Sequence, residues 1–179
     1  MLTEKIKVIK YEPWFKKDNY SRMARFDCGN DDINTIFRKE IDKLHTTTYL
    51  FIDKDTDKII SFTAFCASSI QIRRKKKGLF SFPAIELKLF GVDKEYQDKT
   101  VKIQNEDLKY SEFVFQWFVS YIQQVIKPVV NVEYLILHSV TSNNTIKFYE
   151  KMGLEPLSEQ ENVHNSDFSD GCIPMYLKI

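Results

Sequence analysis

The chain is poor in the residues that most tightly constrain a small fold. It holds three cysteines, five glycines, five prolines and two tryptophans among 179 residues. Cys28, Cys66 and Cys172 form an odd, widely spaced set. That excludes a disulfide framework and the paired ligand spacing of a zinc cluster, so no metal is expected. No apolar run approaches the ~20 residues that cross a bilayer as a helix. The opening Met1-Leu2-Thr3-Glu4-Lys5 lacks the apolar stretch of a secretion signal. The expectation is a cytoplasmic, reduced setting with no membrane partner. An excess of one charge is also missing, with 26 basic against 25 acidic residues. No global field therefore draws the chain to nucleic acid or anionic lipid.

What is present is apolar material, 43% hydrophobic and 14% aromatic. In a chain of this length that fills one core without staples. One domain over residues 1–179 is the expectation. Ile6 to Tyr11 alternates as a strand, ended by Pro13. Phe26-Asp27-Cys28-Gly29-Asn30 reads as a turn into a helix capped by Asn30 or Asp31. Ile33, Ile36, Phe37, Ile41 and Leu44 make its apolar stripe. Thr47–Ile52 and Ile59–Phe65 read as a hairpin across a polar turn, and Pro83 opens a long strand to Val92. Asp93 to Tyr110 reads as an irregular polar segment. A buried helix over about Ser111 to Ile126 follows, stopped by Pro128. Glu133–Ser139 is a strand, and Ile173–Lys178 is the closing strand. This order predicts an α/β (α+β) fold, a mixed central sheet flanked by helices.

Between the last two strands stands Asn144-Thr145-Ile146-Lys147-Phe148-Tyr149-Glu150-Lys151-Met152-Gly153-Leu154. It is a short helix carrying a Phe-Tyr pair and stopped by glycine. Phe148 is expected to face the core while Tyr149 projects elsewhere. The segment resembles the last helix of the GCN5-related N-acetyltransferase superfamily, with its pattern F-Y-x-x-x-G-F/L. The Phe26–Asn34 entry resembles one bacterial subgroup, which includes tRNA-acetylating toxins and small acetyltransferases. Pro83 to Asp93 is similar to the family's fourth strand. Together these imply the acyl-CoA N-acyltransferase fold, with acetyl-CoA as cosubstrate and an amine as acceptor.

The resemblance also implies roles. Tyr149 would protonate the departing thiolate, and Glu86 would accept the proton of the amine. His138 at a strand end is another candidate base, while His45 and His164 have no supporting motif. Main-chain groups of Phe90, Gly91 and Val92 would hold the pantetheine arm and polarise the thioester oxygen. A glycine there suits a bulge that frees those groups. Ser142, at a position where the family often has Asn, and Asn143 would also contact the cofactor.

The family's glycine-rich pyrophosphate loop has no counterpart here. From Tyr96 to Glu112 there is no glycine, and Glu106, Asp107 and Glu112 bring negative charge, with Lys99, Lys102 and Lys109 to offset it. Either the extra residues fold aside, leaving amides from Ser111 onward to hold phosphate, or the fold serves as a scaffold for a protein or nucleic-acid partner. The run Arg73-Arg74-Lys75-Lys76-Lys77 is the one handle for RNA or another acidic partner. Acetylation of aminoacyl-tRNA, as by the toxins, is a further alternative. The pattern is compatible with a monomer or an oligomer.

Overall fold

The computed structural model describes residues 4–74, 78–104, 106–157 and 171–179. Seven strands pair in one sheet, in the order β1 (Ile6–Tyr11), β2 (Thr47–Asp53), β3 (Ile59–Arg74), β4 (Gly78–Val92), β7 (Tyr134–Val140), β9 (Cys172–Lys178), β8 (Glu155–Pro156). The β4–β7 pair is parallel, whereas β1–β2, β2–β3, β7–β9 and β8–β9 are antiparallel. The remaining strands, β5 (Thr100–Ile103) and β6 (Glu106–Lys109), form a separate hairpin. Helices α1 (Lys16–Arg25), α2 (Asp31–Thr35), α3 (Tyr110–Tyr121) and α4 (Asn143–Lys151) lie between strands in the sequence. The expected mixed sheet with helices is the observed fold.

The chain divides into two compact units. The first comprises Met1–Phe65 and Leu89–Phe118. Its β2 reads Tyr49-Leu50-Phe51-Ile52 and is buried on both faces, as the continuous apolar run requires. Leu50 and Ile52 join Phe26, Phe37, Phe62 and Met23 in one core. Phe51 points the other way, into a core with Ile60, Val92, Tyr96, Val101, Phe113 and Val114. In the first core Phe37 stacks on Phe62 with ring centroids 4.0 Å apart, and Phe26 meets Phe37 edge-on at 4.9 Å.

The second unit comprises Cys66–Lys88 and Val119–Ile179. Here β4 pairs with β7 from Ala84↔Tyr134 to Leu87↔Leu137. Ile70, Ala84 and Ile136 form its core, with Phe82, Tyr134, Leu157 and Tyr176 packed against them.

Two sequence expectations change, and one helix appears that the sequence did not announce. Thr100–Lys109 is a hairpin, not irregular chain, because Val101 and Ile103 alternate into the core between exposed Thr100 and Lys102. Gln104, at φ 47, supplies the left-handed turn residue that a glycine would ordinarily give. Strand β4 begins at Gly78, so Pro83 lies inside it. Lacking an N–H, Pro83 stands just before the first β4–β7 pair and offers its carbonyl to the Glu133 amide at 3.0 Å. Helix α1 carries too few apolar residues to show a stripe, and Met23 is its buried apolar anchor. Lys75–Lys77 of the basic run, and His164, lie outside the described residues.

Candidate active site

In the second unit, α4 is held at both ends by local chemistry. The Ser142 hydroxyl accepts from the Thr145 amide at 3.4 Å, as an N-cap. Gly153 takes φ 88, and the Gly153 and Leu154 amides return to the Glu150 and Tyr149 carbonyls at 2.9 and 3.0 Å. This frame turns Tyr149 inward. Tyr149 is buried, and the adjacent Phe148 is the half-buried ring, with centroids 5.2 Å apart. The expectation that Phe148 faces the core while Tyr149 projects elsewhere is thus reversed, because the helix phase between the two caps puts Tyr149 on the inner face. Burial pushes the Tyr149 hydroxyl well above the ordinary phenol range. An ordinary phenol is already neutral near pH 7, so the shift leaves Tyr149 protonated there and makes it a weaker acid. Ser142 and Asn143 are both exposed at the start of the helix.

Glu86 lies on β4, only 2% exposed. Its carboxylate meets Lys88 Nζ at 3.1 Å through Oε1, and the Ser68 hydroxyl donates to Oε2 at 3.2 Å. His138 Nδ1, from β7, stands 3.7 Å from the same Oε1. Nearby Cys66 is pushed up by burial and then by the Glu86 charge, with Lys88 opposing. The two candidate bases, Glu86 and His138, are thus brought together. Lys88 and Ser68 are partners that the sequence reasoning missed. Glu86-Leu87-Lys88 carried the signal for one of them, since residues two apart on a strand share a face.

In the first unit, the Phe90–Val92 segment is engaged with protein. The Ser61 hydroxyl donates to the Gly91 carbonyl at 2.7 Å, and Gln97 Nε2 donates to the Val92 carbonyl at 3.0 Å. A Cβ on Gly91 would meet the Phe62 ring at 2.9 Å and Phe26 at 3.3 Å. Aromatic packing is therefore a sufficient reason for glycine at this position. Phe90 is half-buried, its ring edge-on to Phe115 at 6.1 Å.

The same unit ties down the Phe26–Asn30 turn. Asp27 accepts from the Gly29 amide at 2.8 Å, Asn34 Nδ2 at 2.8 Å and Lys94 Nζ at 3.0 Å. Gln97 Nε2 also reaches the Cys28 carbonyl at 2.8 Å. The Asn30 side chain caps α2, accepting from the Ile33 amide at 3.0 Å.

Ser111 is the second residue of α3, directly after the hairpin. First-turn amides of a helix have no carbonyl within it to pair with, and that end favours an anion. Of the three lysines, Lys99 lies over the Tyr96 ring at 5.0 Å, Lys102 is cross-strand from Asp107, and Lys109 lies 3.7 Å from Asp98. His45 is the left-handed residue, φ 52, that closes the helical stretch before β2. Among the described residues, no helix is long and apolar enough to cross a membrane, and no His/Cys/Asp/Glu group could hold a metal ion.

No family model and no curated protein matches the chain. Solved structures do match. One is a bacterial toxin, with a TM-score of 0.73 at 19% identity over 97% of this chain and 90% of that one. Another is a Tyr-to-Phe variant of the toxin AtaT, bound to acetyl-CoA and the C-terminus of the antitoxin AtaR. It has a TM-score of 0.67 at 14% identity, over 98% of this chain and 94% of that one. A third is AtaT complexed with acetyl-methionyl-tRNAfMet, with a TM-score of 0.66 at 15% identity, over 97% and 94% of the two chains. At these identities the likeness is one of fold.

Proposed function

We propose that the protein is an acetyl-CoA-dependent N-acetyltransferase acting on a primary amine. The observation that carries this reading is the placement of Tyr149, buried on a helix capped at both ends. A neutral phenol is the kind of group that can hand a proton to a departing thiolate. The Glu86 cluster supplies the complementary function, a place for the proton leaving the amine. Acetyl-CoA, when bound, supplies the activated acyl group. Its anionic end suits the first-turn amides of α3 from Ser111 onward, with no glycine loop needed, since the extra residues are folded into their own hairpin. Glu112 in the same turn opposes an anion there. The family resemblance assigns the arm of the cofactor to main-chain groups of Phe90, Gly91 and Val92, and to Ser142 and Asn143.

For the acceptor, the amino group of an aminoacyl-tRNA is the favoured candidate, on the match to AtaT holding acetyl-methionyl-tRNAfMet. The test is transfer of radiolabelled acetyl from acetyl-CoA to total aminoacyl-tRNA, with free amino acids and polyamines as competing acceptors. Label in tRNA that is released by deacylation, and lost in Tyr149→Phe, supports the full reading. Label only in a small amine retains the acetyltransferase and removes the tRNA. No label in any acceptor favours a non-catalytic scaffold.

A further inference from the structure

Two candidate proton acceptors sit side by side in the second unit, and they are not equivalent. Both Glu86 oxygens are already committed, Oε1 to Lys88 at 3.1 Å and Oε2 to the Ser68 hydroxyl at 3.2 Å. Side-chain exposure is 2% for Glu86 and 8% for His138. Both oxygens of this carboxylate are thus taken up by an ammonium and a hydroxyl of the protein itself. What such a carboxylate does well is accept from, and so orient, an imidazole N–H. The ring nitrogen that faces it is Nδ1, at 3.7 Å. Catalytic hydrogen bonds are often long in the absence of substrate and tighten in the complex.

We propose that His138, not Glu86, takes the proton from the acceptor amine, and that Glu86, fixed by Lys88 and Ser68, is its positioning residue. This rests on the acetyl-transfer reading and changes one role within it. The Glu86 carboxylate keeps the ring proton on Nδ1, which makes Nε2 the basic atom. The amine reaches the site as an ammonium and gives one proton to Nε2. Its lone pair then forms the N–C bond to the acetyl carbon while the C–S bond breaks, its electron pair leaving on sulfur. The thiolate takes the Tyr149 proton, and the second amine proton restores the phenol. The products are the amide and the free thiol, and the imidazolium returns its proton to solvent.

The described neighbours of the pair come from three strands. On β3 they are Ser68 and Cys66, whose thiol burial holds neutral. Strand β4 contributes Glu86 and Lys88, and β9 sets Pro174, which has no charge, opposite His138.

The test has two arms. Ring-nitrogen NMR on the unliganded protein, at a pH where the imidazole is neutral, reads which nitrogen carries hydrogen. The expected result is the Nδ1–H tautomer of His138 in the wild type, moving to Nε2–H in Glu86→Ala. A wild-type ring protonated on Nε2 overturns the proposal without any variant. The second arm measures acetyl transfer from acetyl-CoA to total aminoacyl-tRNA, with folding checked by thermal melting. His138→Gln is expected to lower kcat about 10²–10⁴-fold with KM for acetyl-CoA unchanged. Glu86→Gln is expected to lower kcat by a smaller factor. A larger loss in Glu86→Gln than in His138→Gln returns the base to Glu86 and overturns the proposal. If the wild type transfers no acetyl group, the acetyl-transfer reading falls and the proton role falls with it. The tautomer then still decides whether Glu86 orients the ring.

Discussion

Lys88 Nζ lies 3.1 Å from Oε1 of Glu86, two residues back on the same face of β4. The carboxylate is 2% exposed and the ammonium stem 18%. A buried charge that loses its partner is costly, typically about 3–5 kcal/mol, whereas losing both partners costs much less. Lys88→Met is therefore expected to lower unfolding free energy by about 2–4 kcal/mol, less than the full penalty because the site is partly open. Adding Glu86→Gln should recover a large part of that loss. Urea unfolding of the two single variants and the double variant measures the coupling. Strictly additive effects would mean that the pair is not formed.

Gly91 has no room for a side chain. Its missing Cβ would stand 2.9 Å from the Phe62 ring, and that ring is stacked on Phe37 and closed in by Phe26. Gly91→Ala is expected to destabilise by about 1–3 kcal/mol, the usual range for overpacking a filled core. The midpoint of urea unfolding reads this directly. Unchanged stability would mean that the Phe26–Phe37–Phe62 cluster yields to a methyl group.

Asp27 gives the clearest pH signature. The Gly29 amide first, then Lys94 and Asn34, lower its carboxyl from 3.8 to about 2. A lowered folded-state value means that the stabilisation is complete above the ordinary carboxylate range. It is lost as pH falls toward the folded value. Unfolding midpoints should therefore drop between about pH 5 and about pH 2. Asp27→Asn should flatten that drop while lowering the plateau, since the amide cannot pair with Lys94. An equal acid slope in wild type and variant would assign the slope to other carboxylates.

Much of the fold was legible because long apolar patterns dominate it. The strand pattern Ile6–Tyr11, the continuous β2 run and the Asn30 cap all appear where the residues put them. The hairpin Thr100–Lys109 was not legible, because two inward residues among charges are too short a period-two signal. Helix α1 escaped for a similar reason, since it packs through few apolar side chains. At the site, residue types could be read but not their setting. Tyr149 and Glu86 were visible as candidates. The burial of Tyr149, its exchange of place with Phe148, and the Lys88–Glu86–His138 grouping depend on helix phase and strand register. Gly91 was legible as special, though the Phe62 and Phe26 rings that crowd it are far away in sequence.

The proposed activity requires that this chain bind acetyl-CoA and use Tyr149 on it. A ligand that binds only the folded state must raise its stability, by about 2.7 kcal/mol at a hundredfold excess over Kd. The most direct measurement is the melting temperature of the wild type and of Tyr149→Phe across an acetyl-CoA titration, followed by acetyl transfer at saturation. The expected result is a rise that grows with the logarithm of acetyl-CoA concentration in both proteins, and a loss of turnover of about 10²–10⁴-fold in Tyr149→Phe alone. A wild-type melting temperature that stays unchanged up to about 1 mM acetyl-CoA would contradict it.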